Sequence, residues 1–466
     1  MKAPPTFDLL GIGLGPSNLS LAALVAPLRE LSVKFCESKK AFAWHPELMF
    51  SDATMQTSYL KDLVTPVDPT NPHSFLNYLV KKGRFYHFVN TDRKTVSRLE
   101  YEDYARWVSE ELRPHIDFDS PVLSIEHRQD HFHVSKKDGE YTAKNLCLAT
   151  GPQPCVPDCA KTFLGPEVFH AKSPHLTSCR MAGKRVLIVG GGQTGVEVFR
   201  NALKEKWGRA RSLQLITGRE NLRPLEEGPF VDEIYTPNFV EKFHGLSQES
   251  KDEFTAKLLL TSDGNTPGYL QAFYEELYLD RFYQKQFTDY SISPLRWLKK
   301  VEKKSSSYRV TLFNKLEEKS EELEADLIVL ATGLRTQLPP LLDRLKEKIV
   351  FDEENRPLVD LHYRLRADLG PNHIYVMNFS RHGHGIADPQ TSLMAYRSAV
   401  IANSLLGARR FEVAQAPLFL DFFHQETQHA NLPNPLLYPL QCQRLCAGKA
   451  RNPDLHWSRG EEERSH

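Results

Sequence analysis

The 466-residue chain has no uninterrupted apolar stretch near the ~20 residues of a helical membrane span, so none is expected. Its opening residues, Met1-Lys2-Ala3-Pro4-Pro5, run into a strand-like segment without the apolar core of a signal peptide, and a cytoplasmic location follows as the expectation. Net charge is missing too. The 59 Lys+Arg balance 59 Asp+Glu, and the basic residues form no stripe, which removes the electrostatic case for nucleic acid as a partner. The seven cysteines are odd in number and include no CxxC; Cys155 and Cys159, like Cys442 and Cys446, are separated by three residues. That argues against a disulfide framework, a paired-cysteine metal site and a dithiol reductase mechanism. The histidines meet no zinc or non-haem iron spacing, so no metal is expected.

What the chain does contain is two glycine-rich dinucleotide fingerprints far apart in sequence. Gly11-Ile12-Gly13-Leu14-Gly15-Pro16 follows the apolar run Phe7-Asp8-Leu9-Leu10, and Gly190-Gly191-Gly192-Gln193-Thr194-Gly195 follows Arg185-Val186-Leu187-Ile188-Val189. Each run reads as a buried parallel strand and each fingerprint opens a helix. Glycine is needed for the strand-to-helix turn and for close approach of backbone N–H groups to a pyrophosphate, while the helix N-terminus adds positive potential. Two nucleotides are implied.

The flanks separate them. The strand Ser32-Val33-Lys34-Phe35-Cys36 ends in Glu37, whose carboxylate can accept from ribose hydroxyls, as FAD or NAD requires. The strand Leu213-Gln214-Leu215-Ile216 ends in Thr217-Gly218-Arg219, where a guanidinium fits the 2′-phosphate of NADP. The alternative for each is a solvated loop residue.

The first strand system closes on Asn145-Leu146-Cys147-Leu148 with Ala149-Thr150-Gly151, and the second on Ala325 to Leu330 with Ala331-Thr332-Gly333. The repeated ATG exits predict backbone passing close to a cofactor or a domain crossover. The expected fold is α/β, with two Rossmann-like domains, the NADPH domain inserted into the FAD domain, and a smaller helical substrate region. The expected boundaries are 1–165 and 331–425 for FAD, 166–330 for NADPH with the helical segment at about 222–285, and a tail over 426–466. A helix is expected over Tyr101–Leu112, and the charge run from Leu316 to Glu324 predicts a solvated hairpin or helix face.

At this point the chain resembles the class B flavin monooxygenases, and within them the microbial N-hydroxylases of lysine, ornithine and aliphatic diamines that supply hydroxamate siderophores. The likeness spans about residues 7–425 and is closest to the bacterial lysine and diamine hydroxylases. It rests on GxGxxP at Gly11, Gly13 and Pro16, on Phe42-Ala43-Trp44-His45-Pro46, on Met55-Gln56-Thr57-Ser58-Tyr59-Leu60-Lys61-Asp62-Leu63, and on Ser74 to Leu79. It continues through the second fingerprint, Ala331-Thr332-Gly333, and His384-Gly385-Ile386-Ala387-Asp388-Pro389-Gln390. The resemblance implies that NADPH reduces FAD, that O2 adds at the flavin C4a carbon, and that a neutral primary amine is hydroxylated. It also implies a homodimer or homotetramer.

The resemblance further assigns roles. Gln56 and Ser392 stand near the reacting centre; Trp44 and His45 line the flavin; Thr332, Gly333, His384 and Gly385 join the cofactor-binding set. Lys61 matches a lysine that holds a substrate α-carboxylate. Asp232 replaces a carboxylate-binding asparagine and would attract an ammonium instead, moving the expected substrate from ornithine toward lysine, cadaverine or putrescine. With no carboxylate present, Lys61 could pair with Asp232. Asn265 is a further candidate for substrate binding. There are three rivals, one of them a flavin-dependent ketone-oxidising enzyme of related scaffold, in which the Met55–Leu63 block is not expected. A flavin monooxygenase of soft heteroatoms needs FxGxxxH, and Phe163 to His170 has one residue too many. A non-catalytic nucleotide-binding sensor would show no amine-stimulated turnover.

Overall fold

Thr6–Ile12 forms the central strand of the first sheet, and its last four residues are buried. The computed structural model describes residues 4–287, 289–414 and 416–423. Contacts divide the chain into Met1–Leu420 and Asp421–His466; both large sheets and the helices that carry the candidate site belong to the first unit. The tail expected over 426–466 lies outside the described residues. Thr6–Ile12 pairs in parallel with Val33–Cys36 on one side and Gly139–Leu148 on the other. The late half of Gly139–Leu148 also pairs in parallel with Ile374–Val376, and its early half turns antiparallel into the meander His131–Lys136 and Val122–Arg128.

The helix after the first fingerprint, Pro16–Val25, carries no charged residue and all ten of its positions are buried. Proline at its first position is pre-set for helical φ, and its missing N–H would have lacked a partner there anyway. With Leu19, Leu21, Leu24 and Val25 each contributing about 1.5–3 kcal/mol on full burial, this helix is held by its surroundings rather than by its own propensity. The helix expected over Tyr101–Leu112 begins earlier, at Arg98–Glu111. A capping box sets its start: Ser97 Oγ accepts from Glu100 N at 3.1 Å and the Glu100 carboxylate accepts from Ser97 N at 3.0 Å.

The second sheet is wholly parallel, in the order Asp289–Ser293, Ser212–Ile216, Arg185–Val189, Leu327–Leu330, Val168–His170. Its strands lie in sequence between Gly139–Leu148 and Ile374–Val376 of the first sheet, so one dinucleotide fold interrupts the other. The two crossing segments pair with each other: Gln153–Pro154 runs antiparallel to Leu334–Arg335. The charge run Leu316 to Glu324 forms the turn and outer strand of a hairpin, Tyr308–Asn314 with Lys319–Ala325.

Between Ser212–Ile216 and Asp289–Ser293 the chain is helical. Pro237–His244 is capped by Thr236 and buries Phe239, Val240 and Phe243; Gln248–Lys257, Leu260–Asp263 and Pro267–Leu279 follow. Among the described residues, no helix is long and apolar enough to cross a membrane, and no group of three His, Cys, Asp or Glu is placed to hold a metal ion.

Candidate active site

The first fingerprint is shaped by contacts glycine alone permits. A Cβ on Gly11 would lie 2.1 Å from the Phe35 ring, and one on Gly13, whose φ is +82°, would lie 2.7 Å from Ala149 O. Gly13 N donates to Cys36 O at 2.9 Å. Glu37 then ties the turn down: it accepts from Leu14 N at 2.7 Å, from Lys39 N at 2.9 Å and from Ser38 Oγ at 3.1 Å. A carboxylate has about four acceptor positions, so roughly one remains for a ribose hydroxyl. Gly15 differs from its neighbours. It caps Pro16–Val25 without a side-chain hydrogen bond, and a Cβ there would meet no protein atom within 4 Å. That open, donor-rich helix start fits a pyrophosphate.

The second turn repeats this plan. Gly190, at φ +124°, packs on Ala331 O, where a Cβ would come within 2.1 Å, and Gly190 N donates to Ile216 O at 2.8 Å. A Cβ on Gly195 would lie 1.8 Å from Gly190 O. Gly192 caps Gln193–Leu203 and is open within 4 Å, as Gly15 is. Thr194 is half-buried beside it. Matching the strand ends places Thr217 where the first fold has Glu37. A hydroxyl there accepts from Arg219 N at 3.2 Å and brings no negative charge against a 2′-phosphate. The half-buried Arg219 donates from Nη1 to Asp263 O at 2.9 Å, which steers its guanidinium.

Three segments distant in sequence meet beside the second turn. Gln56 Nε2 donates to Thr266 Oγ1 at 3.3 Å, Thr57 Oγ1 lies 3.3 Å from Thr391 Oγ1, and Gln390 Nε2 donates to Ser262 Oγ at 2.6 Å. Arg381 pairs with Asp263 at 3.0 Å, and Tyr235 OH donates to Thr261 O at 2.7 Å. Ser392 is buried, and among the described residues its hydroxyl has no partner. Behind this loop the buried pair Arg397 and Asp388 lies 3.3 Å apart, and Arg397 also donates to Gln390 O. Burial pushes the Asp388 carboxyl up, against the pull of Arg397.

Lys61 is half-buried, and among the described residues its ammonium has neither a hydrogen-bond nor an ion-pair partner. Its neighbour Asp62 is fully engaged in the loop, accepting from Val64 N, Thr65 N, Thr65 Oγ1 and Phe75 N at 2.6–2.9 Å. Asp232 is exposed and likewise has no side-chain partner among the described residues, so the Lys61–Asp232 pairing considered from sequence does not form. Trp44 N donates to Glu102 Oε1 at 3.1 Å, and its indole packs on Tyr101 and His45 at centroid distances of 5.2 and 5.0 Å. His45 adopts left-handed backbone, φ 50°, and is held down to about 3 by burial and by the nearby cations Lys172, Arg98 and Lys39. Its ring is neutral at working pH.

Several expected roles need correction. Asn265 is completely buried, and its amide donates to Gly191 O and Arg223 O, both at 3.0 Å; it fastens the helical segment to the second fingerprint instead of facing a substrate. His384 is completely buried, stacked on Tyr363 at 4.2 Å and bonded to Ser380 Oγ at 2.6 Å, so its ring cannot reach a cofactor. Gly385 is buried at φ +80°, with Phe243 3.0 Å from where its Cβ would be, which marks it as a turn residue. Gln193 uses its amide within the protein, accepting from Thr266 N and donating to Glu197, which leaves its backbone N–H for a phosphate. Thr332 and Gly333 are not among these corrections: Thr332 donates to Cys155 O, and Gly333 O accepts from Cys155 N and contacts His170 Nε2, each at 3.0 Å, which secures the crossover, while a Cβ on Gly333 would meet no protein atom within 4 Å. Thr217, Ser262 and Thr266 were not foreseen from sequence. Aligning the two strand ends would have found Thr217; nothing local marks the other two.

Two dinucleotide turns, one fold set within the other, with a polar cluster tied to the second, define a two-nucleotide oxidoreductase. Similarity to known proteins places it further. The model of the L-lysine 6-monooxygenase/L-ornithine 5-monooxygenase family matches residues 5–336. The chain is 38% identical over 424 residues to the L-lysine N6-monooxygenase of Escherichia coli, covering 89% of this chain and 98% of that one. It is similar in structure to the FAD-bound cadaverine monooxygenase DfoA of the desferrioxamine pathway in Erwinia amylovora, with TM-score 0.83, 27% identity, and 90% and 99% of the two chains covered. The ornithine N-hydroxylase of Kutzneria sp. 744, with reduced FAD, NADP+ and L-ornithine, matches at TM-score 0.80 and 28% identity, covering 86% and 99%. The chain belongs to the L-lysine 6-monooxygenase/L-ornithine 5-monooxygenase family.

Proposed function

We propose that this enzyme hydroxylates the side-chain amine of L-lysine, using FAD, NADPH and O2, and that the product serves hydroxamate siderophore synthesis. The observation that carries the substrate is the half-buried ammonium of Lys61, without a partner among the described residues. A cation in that state favours an incoming carboxylate, which lysine has and a diamine lacks. Asp232, exposed and likewise without a side-chain partner among the described residues, suits the α-ammonium of the same molecule.

The open glycines support the cofactor placement: FAD on the first turn with Glu37 at its ribose, NADPH on the second with Arg219 at its 2′-phosphate. Reduced flavin supplies the activation of O2 when bound. The chain's own residues orient and shield. Trp44 and the neutral His45 offer an uncharged wall, and Gln56 presents an amide that both donates and accepts. Exclusion of water favours hydroxylation over release of peroxide.

A second reading, hydroxylation of cadaverine, is favoured by Asp232, which could hold a distal ammonium. The test is a hydroxylamine assay on L-lysine, L-ornithine, cadaverine and putrescine with wild type and Lys61→Met. Lysine turnover with a roughly 10- to 100-fold rise in KM on losing Lys61 is expected, the value of a charged hydrogen bond. Faster cadaverine turnover, indifferent to Lys61, would put the diamine in lysine's place. No hydroxylamine from any of the four would sink the amine-hydroxylase reading.

A further inference from the structure

We infer that Thr266 is a positioning residue: it closes a ring of hydrogen bonds that sets Gln56 against the second nucleotide turn. The inference rests on the proposed placement of Gln56 near the reacting centre. Gln56 Nε2 donates to Thr266 Oγ1 at 3.3 Å, and Thr266 N donates to Gln193 Oε1 at 2.8 Å. Gln193 Nε2 in turn donates to Glu197 Oε1 at 2.8 Å. Glu197, completely buried, takes both Nη1 and Nη2 of Arg98 at 2.9 and 3.0 Å. Arg98 N donates to Ala53 O at 3.0 Å, and Met55 N donates to Val96 O at 2.8 Å, which returns the ring to the segment carrying Gln56.

The geometry singles out Thr266 within that ring. Threonine at a helix N-cap ordinarily turns its hydroxyl onto its own helix. Thr266 caps Pro267–Leu279 without any side-chain cap bond, and its hydroxyl accepts from Gln56. Gln56 is exposed, and among the described residues this is its one side-chain hydrogen bond. The other links are part-buried or between backbone groups, and the Glu197 carboxylate is held by a bidentate partner. A closed ring fixes the amide relative to the second nucleotide turn; opening it at the exposed link frees Gln56 and leaves the rest standing. Asn265, one residue earlier, anchors the same segment through Gly191 O, so Thr266 is presented from a rigid base.

The test uses full-length holoenzyme carrying Thr266→Val, Thr266→Ser or Gln56→Ala, with two readouts. One is the ratio of hydroxylated amine to NADPH consumed. The other is hydrogen–deuterium exchange of the peptide spanning residues 53–60. Thr266→Val keeps the shape and removes the acceptor, so peroxide release and exchange should both rise by about two- to ten-fold, the range expected for one hydrogen bond. Thr266→Ser should restore both. If Gln56→Ala uncouples the enzyme and Thr266→Val does not, the ring is overturned while the placement of Gln56 survives. If neither uncouples it, both fall. Serine behaving like valine, or a change in only one readout, also overturns the ring, because the hydroxyl would then not be the link.

Discussion

The two glycine turns are alike in backbone and unlike in what holds them. Each sets a positive-φ glycine on the alanine carbonyl of an ATG exit, Gly13 on Ala149 and Gly190 on Ala331, and each leaves one glycine open at the helix start. The first turn is held from within its own fold, by Glu37 and by Asn18, whose amide donates to Gly13 O at 2.7 Å, and its helix carries no charge. The second is held from outside. Asn265 and Thr266 reach it from the helical segment, Arg98 reaches it from the first fold, and its helix buries Glu197, Arg200 and Asn201. The first site is therefore self-contained, whereas the second is assembled, so distant substitutions should disturb NADPH far more than FAD.

The largest expected effect would show that the shared backbone plan is structural. Gly190→Ala forces both a backbone region that L-residues avoid and a collision with Ala331 O, and should cost about 2–5 kcal/mol. Gly13→Ala should behave similarly. Urea unfolding checks it, and unchanged stability of both variants would mean that the turns are not built as described.

The next effect separates structure from binding. Gly15→Ala and Gly192→Ala add a methyl where no protein atom stands, so stability should stay within about 1 kcal/mol. FAD retention should fall for Gly15→Ala alone, and NADPH affinity for Gly192→Ala alone, each by about 10- to 100-fold because the methyl enters the place proposed for a pyrophosphate. Equal loss of both cofactors in either variant would erase the distinction between the sites. Arg219→Ala is expected to weaken NADPH by about tenfold or more with little effect on NADH, measured as the ratio of the two kcat/KM values. Equal losses would remove Arg219 from the 2′-phosphate.

These contrasts also mark what could be read from sequence. The strands, turns and inserted second fold were legible because the constraints on Gly11, Gly13, Gly190 and Gly195 are local and steric. Motif position foretold which segments meet but not where side chains point. His384 belongs to a segment tied to the site, yet its ring turns inward onto Tyr363, and Asn265 turns onto Gly191. Arg98 and Glu197, 99 positions apart, form their buried pair only once the two folds are docked. Thr217 needed the register of both strand pairs, Ile12 against Cys36 and Val189 against Ile216, before it could be matched with Glu37.

The smallest effect concerns His45, a residue of the first fold whose ring feels cations of both folds. In the folded protein its ring is held down to about 3, by burial first and then by Lys172, Arg98 and Lys39, against about 6.5 in an unfolded chain. As pH falls below about 6.5 the unfolded chain takes up a proton that the folded one refuses, so stability is lost progressively down to about 3. Allowing for a part-exposed ring, the loss between pH 7 and pH 5 should be about 1 kcal/mol. His45→Asn tolerates the left-handed backbone and carries no titrating group, so its stability should gain on wild type by that amount over the same interval. Urea unfolding of the two holoenzymes at pH 7 and 5 measures the difference, in which the titration of every other histidine cancels. A gap that does not move with pH would mean that the His45 ring charges freely in the folded state, and would remove it as a neutral wall for the flavin.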